Sequence, residues 1–307
     1  MAKCPLLSVC GGCKYDFNDA SYRETKFAQI SKMKFTEEPY WVPAGARRRA
    51  EFCFADGEFG FFERGTKNIV AVNHCPNLVP EINALLPMLS KLPWGGAGTA
   101  LVTSCENGLD IAVNSNVPFF TKEFRDAAQK MNVLRVTWNG TLVFMREMPM
   151  IKFGNRMVEY PSGAFLQPTV PSENAMRDFV VSAANGAKRV LDLFCGIGNF
   201  TFALGADGFD IAGCGVSRDL MKRPLLPKNL DNYDCVVMDP PRAGALAQCK
   251  ELVKSSVPTV IYVSCNPMTF RRDADVLVKG GYEIVKSKPF DQFLGSEHWE
   301  IAAVFKK

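Results

Sequence analysis

The sequence predicts an α/β protein in two parts, a mixed α+β first half and an open, Rossmann-like sheet in the second. Three runs carry that expectation. Residues 190–194 are apolar and break into the turn Cys195-Gly196-Ile197-Gly198-Asn199 ahead of a helix. Residues 233–238 end in Asp239-Pro240-Pro241-Arg242, and residues 259–263 end in Ser264-Cys265-Asn266-Pro267. Each reads as a buried strand that delivers polar side chains to the edge of a sheet, where open α/β folds hold their ligands.

At 307 residues the chain exceeds one ordinary core, and 47% apolar content suits a packed protein. No stretch approaches the ~20 apolar residues of a membrane span, and the N-terminus lacks the apolar run of a secretory signal, so a cytoplasmic protein, taken as a monomer, is expected. A net charge of +4 is too mild to identify a partner. Eleven cysteines, an odd number in so long a chain, point to reduced thiols, metal ligands or catalysis. Only His74 and His298 are present, which leaves little room for His-rich zinc sites.

Taken in order, Cys4, Cys10 and Cys13 lie in a glycine-bearing loop, and Cys75, beside Pro76, is the best fourth ligand. Four thiolates suit structural zinc or an iron–sulfur cluster alike. Strands are expected at 50–54 and 59–62 across the turn Asp56-Gly57, then at 68–72. Helical spacing marks 79–92 and 121–131. Residues 100–104 and 109–113 form a strand pair, and 133–148 returns to strand through the turn Asn139-Gly140. This half is expected to rest on antiparallel pairing. Arg47, Arg48 and Arg49 open it; such a run is more often a solvated strand end than a set of RNA phosphate contacts.

A helix starts at Pro171 and Ser172 and leads into the second domain. There the glycines at 196 and 198 allow close approach of a nucleoside-type ligand, and Asp192 is an acceptor for its hydroxyl or amino groups. The spacing is neither Gly-x-Gly-x-x-Gly nor a P-loop, which disfavours dinucleotide and P-loop readings. The prolines after Asp239 stop its strand and hold the carboxylate at the sheet edge. Cys265 alone would more often be a packed thiol, but the converging strands give it a crevice. Residues 290–305 read as a loop and a closing strand with Glu297, His298 and Glu300 at its mouth. The expected division is 1–40 for the cysteine loop and leading segment, 41–155 for the α+β domain that contributes Cys75, and 156–307 for the Rossmann-like domain.

In this order the motifs resemble the S-adenosylmethionine-dependent RNA 5-methyluridine methyltransferases, in particular the 23S rRNA uracil-5 enzymes that carry an iron–sulfur cluster. The likeness covers nearly the whole chain: the four cysteines, Phe165-Leu166-Gln167, the 192–199 turn, Asp239-Pro240-Pro241-Arg242, Ser264-Cys265-Asn266-Pro267 and His298-Trp299-Glu300. It implies a class I methyltransferase domain and a [4Fe–4S] cluster on Cys4, Cys10, Cys13 and Cys75. It implies S-adenosylmethionine held by Gln167, Phe194, Asn199, Asp219 and Asp239, and RNA met by Phe165, Asp239, Arg47, Arg48 and Arg49.

The resemblance also implies Cys265 as nucleophile and Glu300 as general base. Uracil C5 is a poor nucleophile until a thiolate adds to C6; the base then removes the C5 proton so that the thiol can leave. The target uridine has to be turned out of its stack. The implied substrate is 23S rRNA, with tRNA as the alternative. Many members carry an N-terminal RNA-binding β-barrel, whereas this chain begins at the cysteine loop. One departure stands out. After a strand expected at 209–216, Val216 runs directly into Ser217-Arg218-Asp219, so an edge helix–strand unit and the ribose-binding carboxylate are expected to be missing. A catalytically impaired RNA-binding homologue is therefore the second reading, and a cysteine-based redox protein using the cluster the third.

Overall fold

The computed structural model describes residues 4–118, 122–131 and 133–307. In chain order its elements are α1 (Tyr22–Phe27), β1 (Tyr40–Trp41), β2 (Arg49–Ala55), β3 (Glu58–Phe62), β4 (Ile69–Ala71), α2 (Pro80–Leu89), β5 (Ala97–Cys105), β6 (Gly108–Ser115), α3 (Lys122–Lys130), β7 (Val133–Trp138), β8 (Thr141–Met145), β9 (Met150–Phe153) and β10 (Arg156–Glu159). Then come α4 (Val170–Ala183), β11 (Val190–Leu193), α5 (Asn199–Leu204), β12 (Asp207–Asp210), β13 (Val216–Ser217), α6 (Pro227–Leu230), β14 (Cys235–Met238), α7 (Leu246–Val253), β15 (Thr259–Ser264), α8 (Pro267–Lys279), β16 (Glu283–Asp291) and β17 (Glu300–Lys306). Among the described residues no helix is long and apolar enough to cross a membrane.

The chain divides into two compact units: Met1–Lys26 with Pro43–Val170 and Leu294–Glu297, and Phe27–Val42 with Pro171–Phe293 and His298–Lys307. In the first unit a seven-stranded sheet runs β4-β3-β2-β5-β6-β7-β8. Its hairpin turns carry positive φ at both central residues, Asp56 and Gly57 in one and Asn139 and Gly140 in the other. That conformation matches the twist of the flanking strands. One expectation is corrected: β6 and β7 pair in parallel, because the helix α3 between them carries the chain back to the same end. Thr121, the expected start of that helix, lies outside the described residues. Alternate residues of β2 and β5, Ala50, Phe52, Phe54, Ala100 and Val102, join Ile82, Leu85, Leu86 and Leu89 of α2 in one core.

The second unit holds an eight-stranded sheet in the order β1-β16-β17-β15-β14-β11-β12-β13. Every strand is parallel to its neighbours except β17, which is antiparallel to both of its own. Alternation along the strands feeds two cores. Leu191, Leu193, Val236, Met238, Val260 and Tyr262 pack with residues of α7 and α8, while Val190, Cys235, Val237, Ile261 and Val263 pack with Met176, Phe179 and Val180 of α4. Helices on both faces of a mainly parallel sheet are the doubly wound arrangement expected from the sequence. Residues 283–289, to which no element was assigned, together with Phe290 and Asp291 at the start of the expected loop, form strand β16, hydrogen-bonded along β17.

The strand expected at 209–216 is two short strands. β12 and β13 are parallel neighbours, with Phe209 opposite Val216 and Asp210 opposite Ser217, joined only by residues 211–215. Parallel neighbours ordinarily need a crossover of about a dozen residues. Glycine makes the short return possible. A Cβ on Gly213 would stand 2.0 Å from the Gly196 carbonyl oxygen, and one on Gly215 would stand 2.2 Å from that of Gly208. The Cys214 amide also donates to the Gly196 carbonyl at 3.0 Å.

Candidate functional site

Register brings three sequence motifs to one edge of the second unit's sheet. Ser264 pairs with Ile301, so Cys265 and Glu300 are the next residues at that end. Met238 lies between Tyr262 on one side and Leu193 on the other. Asp239 therefore leaves β14 at the same edge, its amide donating to the Leu193 carbonyl at 3.3 Å. This is the point where successive connections change direction, the usual ligand crevice of such sheets.

Cys265 immediately precedes α8. The Asn266 side chain caps that helix by accepting from the Met268 amide at 3.1 Å. The same helix start grips the Asp239 loop: Asn266 Nδ2 and Thr269 Oγ1 each donate to the Arg242 carbonyl at 3.1 Å. Asp273 accepts from the Ala245 amide at 2.7 Å and from the Tyr262 hydroxyl at 2.7 Å. The Cys265 position and the Asp239 loop are thus tied together through the start of α8.

Glu300 is 1% exposed. Gln292 Nε2 donates to its Oε2 at 2.6 Å, and its Oε1 has no hydrogen-bond partner. Burial, reinforced by Asp239, raises its pKa well above the carboxylate range; the Gln292 bond opposes this. Burial, with Glu300 and Asp239 adding to it, pushes the Cys265 thiol up to about 12, and Arg242 opposes. Arg242 and a backbone hydrogen bond favour the thiolate, and they are outweighed.

The glycine turn lies at the end of the adjacent strand. Phe194, Gly196 and Gly198 all have positive φ, at 63°, 51° and 102°. Asp192 is wholly buried and accepts from Thr201 Oγ1 at 2.6 Å through one oxygen, while the other has no partner. Burial raises its pKa to about 8, against the Thr201 bond and with Asp239 adding to the rise. Asn199 Oδ1 accepts from Arg177 at 3.1 Å, and its Nδ2 is buried without a partner. Unpartnered acceptor and donor atoms beside a turn without side chains at 196 and 198 fit a nucleoside-type ligand bearing hydroxyl and amino groups.

Three groups escaped the sequence reading. Gln292 lies in a stretch expected to be loop. Arg242 was noted only as the end of a motif. Asp210 ends β12, where the ribose carboxylate was expected to be lacking, and accepts from the Gly196 amide at 2.8 Å. Only its position behind an apolar pair, Gly208-Phe209, could have marked it. Asp219 instead closes its own turn, accepting from the Lys222 amide at 3.1 Å.

The remaining expected residues belong to the first unit. Gln167 is buried, and its carbonyl accepts from Arg48 Nε at 3.2 Å. Arg48 is itself buried, so it is a support within the fold rather than a surface cation. Arg47 Nε donates to the Arg49 carbonyl at 3.0 Å. Arg49 lies over the Phe165 ring at 5.8 Å, and Phe165 is 61% exposed.

Cys4, Cys10, Cys13 and Cys75 are near enough to act on one another electrostatically. Burial first, then Cys75, Cys10 and Cys4, push the Cys13 thiol up to about 12. Burial likewise raises Cys75, with Cys4 and Cys10 adding to the rise. The Gly12 amide points at the Cys10 sulfur at 3.4 Å. Among the described residues no group of three or more His, Cys, Asp or Glu side chains stands at metal-binding distances. The thiols are therefore neighbours without being drawn to one centre.

Comparison with known proteins places this geometry in context. A family model described as tRNA (Uracil-5-)-methyltransferase matches residues 222–307. An uncharacterized RNA methyltransferase of Caulobacter vibrioides is 35% identical, over 99% of this chain and 85% of that protein. One from Brucella suis is 37% identical, over 99% and 84%. The 23S rRNA (uracil(1939)-C(5))-methyltransferase RlmD of Salmonella paratyphi A is 26% identical, over 99% and 81%. Among solved structures, the Pyrococcus abyssi tRNA (uracil-54, C5)-methyltransferase in complex with S-adenosyl-L-homocysteine superposes with a TM-score of 0.76 at 19% identity, covering 92% of this chain and 82% of that one. The Caulobacter alignment runs over 356 positions, more than the 307 residues of this chain, so that relative carries internal residues which this chain lacks.

The fold is accordingly that of the S-adenosylmethionine-dependent methyltransferases, as the sequence led us to expect. The chain belongs to the RNA uracil-5-methyltransferase family and is an RNA methyltransferase.

Proposed function

We propose that the protein methylates C5 of a uridine in RNA, 23S rRNA being the substrate we favour, through a covalent bond between Cys265 and C6. The observation that carries this reading is the convergence of Cys265, Glu300 and Asp239 at one sheet edge, with a buried Glu300 oxygen left without a partner. S-adenosylmethionine, when bound, supplies an electrophilic methyl group. Asp192, Phe194, Asn199, Asp210 and Asp239 would hold it. The Cys265 thiolate adds to C6 and makes C5 nucleophilic. After C5 has been methylated, the Glu300 carboxylate takes the C5 proton, and the electrons of that C–H bond expel Cys265. Its raised pKa suits this step, since a carboxylate of ordinary acidity is a weak base near neutral pH.

In the first unit, Arg49 and Phe165 fit the nucleic acid by charge and by stacking. The likeness to RlmD, 26% identity over 99% of this chain and 81% of that protein, supports rRNA; tRNA is the alternative substrate.

The test is incubation of the protein with labelled methyl donor and transcripts of 23S rRNA or tRNA. We expect 5-methyluridine in the rRNA, none with Cys265→Ala, and a covalent protein–RNA adduct that accumulates with Glu300→Gln. Absence of transfer to either RNA by donor-binding protein overturns the reading. Absence of donor binding as well favours the impaired, RNA-binding homologue that the short β12–β13 connection suggests.

We propose the four cysteines as ligands of a [4Fe–4S] cluster on their donor set, their electrostatic influence on one another and the Gly12 amide aimed at sulfur, although they do not stand at metal-binding distances in this structure. Iron and sulfide analysis of anaerobically purified protein should give roughly four of each per chain. A single zinc would refute the cluster.

A further inference from the structure

Among the thiols that the proposed chemistry leaves unused, one pair stands close together. Cys195 lies in the turn assigned to the methyl donor and is buried, while Cys214 lies in the short 211–215 connection and is exposed. Their sulfurs stand 3.9 Å apart. A disulfide requires about 2.05 Å, so the gap closes by a movement of about 2 Å, within the reach of an exposed side chain. The backbone already holds the two segments together, through the Cys214 amide on the Gly196 carbonyl and the Gly196 amide on Asp210.

We propose that Cys195 and Cys214 are an oxidative modification site, a dithiol that a peroxide closes to a disulfide and that thereby weakens binding of the methyl donor. The chemistry balances with hydrogen peroxide as the two-electron oxidant. The Cys214 thiolate attacks one peroxide oxygen and releases hydroxide, leaving a sulfenic acid. The Cys195 sulfur displaces the sulfenic hydroxyl, which leaves as water with the Cys195 proton, while the proton released when Cys214 ionised neutralises the hydroxide, so two thiols and one peroxide give a disulfide and two waters. The electrostatics suit the roles. The shared hydrogen bond holds the Cys214 thiol down to about 6, against burial and the nearby Asp210. The same bond, with burial, raises Cys195. The proton thus stays on the buried sulfur, and the exposed one is the thiolate that an oxidant meets.

Closure acts on the donor because it pulls on the residue between Phe194 and Gly196, both in left-handed conformation. Cys214 also stands 3.7 Å from the Thr201 hydroxyl that bonds Asp192. The effect on the donor rests on the functional reading above; the pairing itself does not. Linkage makes it reciprocal: if the disulfide weakens the donor tenfold, bound donor makes the pair tenfold harder to oxidise, about 30 mV in its potential.

The experiment treats cluster-loaded, reduced protein with stoichiometric hydrogen peroxide, then maps peptides without reduction and measures S-adenosylmethionine affinity by calorimetry. The expected result is a Cys195–Cys214 linked peptide, a donor affinity at least tenfold weaker, recovery with dithiothreitol, and protection by bound donor. Cys214→Ser should bind donor as the reduced wild type does, both before and after peroxide treatment. Absence of the linked peptide overturns the proposal, as does linkage with unchanged affinity or equal loss of affinity in Cys214→Ser. Reduced wild-type protein that binds no donor overturns the functional reading, and the linked peptide then decides the pairing on its own.

Discussion

At the scale of single residues, the site is organised by charges that do not want to be there. Cys265 is surrounded by Glu300 and Asp239, which oppose its ionised form, while Arg242 and a backbone hydrogen bond favour it. In the ligand-free protein its alkylation by iodoacetamide should therefore rise steadily with pH and reach no plateau below about pH 10. Glu300→Gln removes one of the opposing charges and should shift that profile to lower pH, whereas Arg242→Gln should shift it upward; pH-rate profiles read by mass spectrometry check both. Asp192 makes a second prediction. Its folded-state pKa is raised from 3.8 to about 8. The folded state therefore binds the proton more tightly than the unfolded chain, so the stabilisation is fully present below 3.8 and is lost as pH rises through about 8. Thermal melts across that window should show the wild type losing stability with rising pH, and Asp192→Asn losing clearly less. Equal slopes would mean that Asp192 is ionised in the fold.

At the scale of elements, the short β12–β13 return is the most constrained part of the second unit. Gly213 has a φ of 147° and no room for a Cβ against the Gly196 carbonyl. Gly213→Ala should cost about 2 kcal/mol or more, since the obstacle is backbone and not a side chain that can turn away. Because that carbonyl belongs to the glycine turn, donor affinity should fall too. Gly205→Ala meets nothing within 4 Å, and its cost should be limited to the left-handed strain at φ 60° of about 1 kcal/mol. Thermal melts with donor calorimetry separate the two. Elements of this kind differ in how far they can be read in advance. β11, β14 and β15 were legible because an apolar run stops at Gly, Pro or Asn, and the stop itself carries the functional residue. β16 was not, because Lys286, Ser287, Lys288 and Pro289 interrupt its apolar pattern, and only its long pairing with β17 makes it a strand. The parallel pairing of β6 with β7 was hidden for the same reason, being a choice of partner made across α3. Gln292 became a site residue only through β16, so missing the strand meant missing the partner of Glu300.

At the scale of the whole molecule, three adjacent arginines, indistinguishable in the sequence, divide by environment. Arg48 is buried and bonds the Gln167 carbonyl, and its amide donates to the Pro168 carbonyl at 2.8 Å. Arg49 rests over an exposed phenylalanine, and its Nε has no hydrogen-bond partner. A net charge of only +4 means that RNA affinity has to come from such local groups rather than from a general field. Each phosphate contact with a single strand contributes about 0.7 to the slope of log affinity against log salt. Arg49→Ala should therefore reduce that slope by roughly one contact's worth while leaving the melting temperature nearly unchanged. Arg48→Ala should do the reverse: it leaves a buried carbonyl without its donor, costing about 1–3 kcal/mol of stability, and the salt slope of the folded fraction stays the same. Filter binding over a salt series, paired with thermal melts, tests both arms. If the two variants change the slope equally, the division of the arginines into one that supports the fold and one that meets the phosphate is wrong, and RNA contact extends to all three.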